Sequence, residues 1–205
     1  SGWRGNVFIV DDNFIGNKNH LKKNLLPVII QWMELNKYPF SFTTEASINL
    51  ADDPELMQLM ARAGFSNVFV GIETPNKDSL TECNKKQNKN RELVKSVNKI
   101  QDAGMEVTAG FIVGFDNDRP AIFQQQVNFI QNSGIVTAMV GLLNAPIKTK
   151  LYQRLKREGR LLQEMSGDNT DSSMNFIPKM NKEVLMNGYQ NILHNIYSSK
   201  PYYSR

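Results

Sequence analysis

The sequence is poor in the residues that make covalent or metal staples: its 205 residues include one cysteine, Cys83, and two histidines, His20 and His194. One thiol cannot form an internal disulfide or a cysteine-rich zinc or iron–sulfur centre, and it fits a reducing cytoplasm better than a disulfide-rich secreted scaffold. Charge of one sign is also in short supply. Twenty-four basic residues stand against 20 acidic ones without a dominant block, so composition does not call for a nucleic-acid partner. Long apolar runs are missing too. The longest, residues 25–32, is interrupted by Pro27 and Gln31, and no stretch has the length of a membrane-spanning helix. The opening Ser1-Gly2-Trp3-Arg4-Gly5 lacks the charged and apolar regions of a signal peptide and reads as an edge cut inside a longer polypeptide.

What is present is an ordinary globular composition, 40% hydrophobic with 13 Gly and 8 Pro. Five short runs are rich in β-branched and aromatic residues: 7–10, 40–44, 67–72, 106–113 and 135–143. They are nearly continuous in hydrophobicity, as in parallel strands buried on both faces. They recur every 27–39 residues, the scale of a strand plus a crossover helix. The stretches between them, 18–36, 54–63, 90–103 and 119–132, carry apolar residues at helical spacing. Asp52-Asp53-Pro54-Glu55 has the acidic N-cap, early proline and first-turn carboxylate of a helix start,. Ala63-Gly64 and Ala103-Gly104 supply glycine stops,.

Beyond residue 149 the strands end. A helix is expected over 151–158, a polar loop over 166–173 and a last helix over 181–197. The predicted class is α/β: residues 1–148 form a parallel βα sheet, as a partial TIM-type barrel or a doubly wound sheet, and 149–205 a mainly helical extension.

Both architectures bind ligands at the carboxyl ends of their strands, which here read Asp11-Asp12-Asn13, Thr44-Glu45, Gly71-Ile72-Glu73, Ile112-Val113-Gly114 and Leu143-Asn144-Ala145. Paired carboxylates beside an amide can accept from an ammonium or hydroxyls or hold a cation; equally, they cap a helix. Glu73 follows an almost wholly apolar run and so requires a partner, either a ligand or a salt bridge. Glycines 110 and 114 admit a close ligand approach or simply a tight turn,.

As an ordered set these strand ends resemble the radical S-adenosylmethionine enzymes, in the branch where a cobalamin-binding domain precedes the radical domain. Gly2 through Val10-Asp11-Asp12-Asn13-Phe14-Ile15-Gly16-Asn17 is similar to that branch's second strand, Gly71-Ile72-Glu73-Thr74 to its fourth, and GFIVGFD to the glycine motif of its fifth. LLNAPIKTKLYQRLKREGRLL, Gly167-Asp168-Asn169, Asn175-Phe176-Ile177-Pro178-Lys179-Met180 and Tyr202-Tyr203-Ser204-Arg205 resemble a C-terminal extension of one subgroup. The resemblance implies a three-quarter parallel βα barrel of six units, five of them in this chain, with the domain boundary at 148/149. It implies a [4Fe–4S] cluster that reduces S-adenosylmethionine to a 5′-deoxyadenosyl radical for methylation or another functionalisation of an unreactive carbon in a small-molecule substrate. Asp11, Asp12 and Asn13 would lie near the methionyl end, with Glu45 in the same binding set, and Glu73 near the ribose or amino acid moiety. Ile112 and Gly114 would pack on the adenosyl group, and Leu143, Asn144 and Ala145 would lie near adenine.

The family holds its cluster with CxxxCxxC, and this sequence has only Cys83,. The cluster ligands, the first strand and any cobalamin domain are therefore expected upstream, and the fragment alone is expected to be inactive; the alternative is a degenerate relative that has lost its cluster. The loop Asn144-Ala145-Pro146-Ile147-Lys148-Thr149-Lys150 also departs from the subgroup's proline-glycine-threonine-proline-like turn. Two readings compete with the radical one. The first is a βα scaffold binding an adenosyl or phosphate ligand; the second is a metal-dependent enzyme built on Asp11, Asp12 and Glu73. Outside the strand ends, His20 and His194 read as surface residues, Cys83 as an inert thiol, and the run 85–91 as a solvated linker,. Met57 and Met60 read as core, and Tyr189, Tyr197, Tyr202 and Tyr203 as packing the tail onto the barrel.

Overall fold

The computed structural model describes residues 2–162 and 173–205. The expected loop containing Gly167-Asp168-Asn169 lies outside the described residues. Five strands, β1 (Gly5–Ile9), β2 (Phe40–Glu45), β3 (Phe65–Glu73), β4 (Glu106–Val113) and β5 (Ala138–Leu142), pair in parallel in the order of the chain. Successive order without a reversal excludes the doubly wound alternative, whose ligand crevice needs a switch point. The sheet is the curled part of a βα barrel.

The helices between the strands are α1 (Leu26–Leu35), α2 (Pro54–Arg62), α3 (Lys77–Glu82), α4 (Leu93–Asp102) and α5 (Ala121–Ser133). The helix predicted over 18–36 is not uniform. It enters through a short 3₁₀ turn, and the Leu26 N–H reaches back to the Leu21 carbonyl in π register, which accommodates Pro27 in the first turn of α1,. The punctuation read from sequence is realised: the Asp53 carboxylate accepts from the Leu56 N–H at 3.1 Å, and Gly64 and Gly104 adopt φ of 95° and 94°.

Buried and half-buried residues alternate along β3 and β4. Val68, Val70, Ile72, Val107, Ala109, Phe111 and Val113 are buried in the core, and Phe111 meets Phe129 of α5 with ring centroids 5.7 Å apart. The opposite, concave side carries Asn67, Phe69, Gly71, Thr108 and Gly110. It is only half-buried, so the expectation of strands buried on both faces fails there. Small and polar residues line it: Asn67 donates to Thr108 across the strands at 3.0 Å, and Asn6 to Thr43 at 2.8 Å. Phe8 and Met139, 49% and 61% exposed, are the large apolar residues left open on β1 and β5.

The extension consists of α6 (Lys150–Arg157), α7 (Lys182–Tyr197) and α8 (Ser199–Tyr203). α7 packs on α5, where Gly188 meets Phe123. A Cβ at Gly188 would lie 2.2 Å from the ring, so this glycine is set by close approach despite its unfavourable helix propensity. Gly188→Ala is expected to destabilise the protein by about 1–3 kcal/mol through overpacking, measured by urea titration; unchanged stability would show that Phe123 swings aside freely. The tail also covers an edge, since the Tyr197 hydroxyl donates to the Ala138 carbonyl at 2.8 Å and accepts from its N–H at 3.2 Å. Tyr189, Tyr197 and Tyr202 pack as expected, whereas Tyr203 is 83% exposed.

Candidate functional site at the carboxyl ends of the strands

The first three strand ends converge. Asp12 and Asn13 after β1, Glu45, Ala46 and Ser47 at the end of β2, and Gly71 and Glu73 of β3 line one cavity of about 280 Å³ with Phe69, Lys85 and Gln87. Asn13 braces it, because its Oδ1 accepts from both the backbone N–H and the Oγ of Ser47, at 3.0 and 3.1 Å. Asp11 lies beside the cavity and is exposed, its carboxylate accepting from the Asn13 N–H at 3.1 Å.

Glu73 occupies the left-handed region at φ 66°, which costs a non-glycine residue about 1–2 kcal/mol. The register between β3 and β4 shifts between Gly71 and Glu73, and this irregularity turns the carboxylate back over the strand. Glu73 Oε1 accepts from Lys85 Nζ at 2.6 Å, with side chains 18% and 29% exposed. A Cβ at Gly71 would lie 2.6 Å from that carboxylate, so the fold-back depends on glycine. Gly71 pairs in register with Gly110, and a Cβ at Gly110 would meet the Phe69 ring at 2.9 Å. The two glycines thus form a shelf on the concave face that any side chain would fill.

The shelf is held from behind by buried amides. Asn88 donates to the Gly71 and Ile72 carbonyls at 3.1 and 2.9 Å, and Gln126 to the Ile112 carbonyl at 2.8 Å. Each amide therefore caps carbonyls at the end of a strand. The run 85–91 is consequently no solvated linker: it contains the turn Lys86–Lys89 with Asn88 1% exposed, and Arg91 grips Asp52 through two bonds of 3.0 and 2.7 Å. A charged run masks a buried amide, and nothing local in it marks Asn88 as facing inward.

The last two strand ends are enclosed differently. Ile112 is half-buried on the concave face. Gly114, at φ 106°, is packed so that a Cβ would meet Met174 at 3.2 Å and Leu143 at 3.6 Å. Its N–H and that of Phe115 donate to Asp118 at 2.9 and 3.1 Å; burial pushes the Asp118 carboxyl up, while these bonds and one from Ser79 oppose the shift. Asn144 and Ala145 are bound to the extension: the Ala145 N–H donates to Asn175 Oδ1, and Asn175 Nδ2 returns to the Ala145 carbonyl, both at 2.9 Å. Leu143 is buried and lines a second cavity of about 510 Å³. Asp12, Asn13, Glu45 and Glu73 therefore share one cavity, and Gly114, Leu143, Asn144 and Ala145 stand apart under the extension.

Chemically, the smaller cavity offers carboxylate acceptors beside Lys85 and amide donors, a donor set suited to a ligand bearing an ammonium, a carboxylate and hydroxyls. No group of three His, Cys, Asp or Glu side chains placed to hold a metal ion occurs among the described residues, so Asp11, Asp12 and Glu73 form no such ligand set. Cys83, at the C-terminus of α3, lines the other cavity. Burial pushes its thiol up, with Lys85 opposing, which fits an inert thiol. His20 and His194 lie on the surface.

Two family models match the chain: the radical SAM superfamily over residues 5–129, and a domain of unknown function, DUF4070, over 149–205. An uncharacterized methyltransferase of Synechocystis is 45% identical over 205 residues, all of this chain and 38% of that protein. The hopanoid C-2 methylase of Rhodopseudomonas palustris is 38% identical over 185 residues, 90% of this chain and 34% of that protein. The chain thus spans under two-fifths of either relative. Among solved structures, the radical S-adenosylmethionine methyltransferase TsrM from Kitasatospora setae, with cobalamin and a [4Fe–4S] cluster bound, superposes with a TM-score of 0.65 at 15% identity, covering 95% of this chain and 38% of that one. Methylornithine synthase gives 0.53 at 11% identity over 98% of this chain and 49% of that one. No helix among the described residues is long and apolar enough to cross a membrane.

Proposed function

Because this chain belongs to the radical SAM superfamily, we propose that it is the S-adenosylmethionine-binding and substrate-facing part of a methyltransferase acting on an unreactive carbon of a small molecule. The observation that carries the reading is the convergence of Asp12, Asn13, Glu45 and Glu73 on one cavity at the carboxyl end of the sheet. Glu73 and Glu45 accept from the ammonium and ribose hydroxyls, Lys85 and Asn13 face the carboxylate, and the Gly71–Gly110 shelf leaves room for the adenosyl body. Bound there, S-adenosylmethionine supplies a transferable methyl group and a reductively cleavable sulfonium. Gly114, Asn144 and Ala145, closed over by the extension, bound the adenine end, while Leu143 faces the second cavity. The methyltransferase names of the relatives favour methyl transfer within the family's range of reactions.

The iron–sulfur cluster does not fit on this chain, whose one thiol lines the second cavity,; its ligands, and any cobalamin-binding domain, belong to the rest of the polypeptide. The test uses the complete protein, reconstituted anaerobically with iron and sulfide. Under reduction it is expected to form 5′-deoxyadenosine from S-adenosylmethionine and to pass a labelled methyl group to a small-molecule acceptor in a cell extract. A folded protein that takes up no cluster and forms no 5′-deoxyadenosine would sink the reading.

A further inference from the structure

The second cavity, about 510 Å³, lies over the end of β4. Its floor is apolar: Phe115, Leu143 and Leu151, of which the first two are buried. Its walls come from α3 and from α6 of the extension, so it exists only where the extension is docked. It adjoins the polar cavity along one stretch of chain, since Glu82, Cys83 and Asn84 line one and Lys85 and Gln87 the other.

The charges around it are unbalanced in a specific way. Glu82 is engaged: it accepts from the Asp116 N–H at 3.2 Å, from Asn117 Nδ2 at 2.9 Å and from Arg154 at 3.1 Å. Arg154 is engaged as well, against Asp116 and Glu82. Lys150 and Arg157, on the same face of α6 seven residues apart, make no ion pair among the described residues. An apolar floor rimmed by two cations that have no ion-pair partner among the described residues is electrostatically complementary to an anion attached to an apolar body,.

We infer that this cavity binds the apolar part of an acidic small molecule, a carboxylate or phosphate ester, with the anion at Lys150 and Arg157, and that the extension contributes to the substrate site. This deepens the proposed function, since the cavity adjoins the one assigned to S-adenosylmethionine and its ligand is the methyl acceptor. It also gives the extension a task beyond covering the sheet.

The test uses the complete protein and a fluorescent probe, 11-(dansylamino)undecanoic acid, with its methyl ester and decyl phosphate as arms. The acid is expected to bind with enhanced emission, and the ester about tenfold more weakly. The double variant K150E/R157E is expected to weaken the acid about tenfold or more and leave the ester unchanged. Leu151→Trp, which fills the floor, is expected to weaken both. Decyl phosphate that displaces the acid assigns the rim to anions in general, and failure to displace it restricts the rim to carboxylates. Equal binding of acid and ester, or equal binding of the acid to wild type and K150E/R157E, would overturn the inference, as would no binding at all. The 5′-deoxyadenosine measurement is made separately on wild type: its failure removes the radical reading while the probe result stands, and the converse holds.

Discussion

On the proposed function, Glu73→Ala in the complete protein is expected to raise the S-adenosylmethionine concentration needed for half-maximal turnover by about 100-fold, as for truncating one partner of a largely desolvated charge pair. Glu73 is 18% exposed at the side chain and fixed by Lys85 at 2.6 Å, and its backbone sits at φ 66°, so a residue placed at a cost in strain projects its carboxylate into the cavity. Strain held at one position is a mark of function only if function disappears when the strain is relieved. Glu73→Gly provides that comparison. It is expected to be about 1 kcal/mol more stable than Glu73→Ala, because glycine tolerates positive φ, yet equally defective in S-adenosylmethionine affinity. Calorimetric titration and urea unfolding of the pair measure both quantities. Wild-type affinity in either variant would remove Glu73 from the site and leave the Lys85 pair as a structural bridge.

Asp116→Ala is expected to cost about 3 kcal/mol of stability at neutral pH and to loosen the extension. Asp116 sits at the end of β4 with its side chain 7% exposed and is gripped from the extension by Arg160, through bonds of 2.7 and 3.0 Å, and by Arg154. Burial pushes its carboxyl up, but the Arg160 and Arg154 bonds more than reverse this and hold it at about 2. A carboxyl depressed in the folded state contributes stability fully above its unfolded value of about 3.9, and that contribution is lost as pH falls through the folded value. The shift corresponds to between about 2 and 3 kcal/mol, withdrawn between about pH 4 and pH 2. Asp116→Asn should therefore be less stable than wild type at pH 7 and converge on it near pH 2, as read by urea titration across that range. Parallel stability curves for the two proteins would show that the ion cluster contributes nothing to docking.

Much of this architecture was legible in the residues. The apolar runs recur at the βα interval, acidic caps and glycine stops mark the helix ends, and those signals are local: a buried strand needs a continuous apolar run and a helix end needs an unpaired-group cap, whatever the rest of the fold does. The strand-end position of Asp12, Asn13, Glu45 and Glu73 followed from the same logic, since parallel strands expose their carboxyl ends to ligands. The missing cluster ligands were equally plain, because one cysteine cannot be three.

Other features depended on which residues meet through space. Asn88, inside a charged run, caps the end of β3, and Asn175 pairs with Ala145 across 30 residues; an amide's role is set by the carbonyl that stands opposite it, which no local pattern records. The choice between a curled barrel and a doubly wound sheet rested on strand order, and both orders are compatible with the same alternation of strands and helices. The segregation of a polar cavity from an apolar, cationic one arose when α3 and the extension closed over β4. Composition and periodicity by themselves determined the repeat and the chemistry available at the strand ends. Only the tertiary structure decided how that chemistry divides between two cavities, because charges separated by 72 residues neutralise one another only after the chain has brought Glu82 to Arg154.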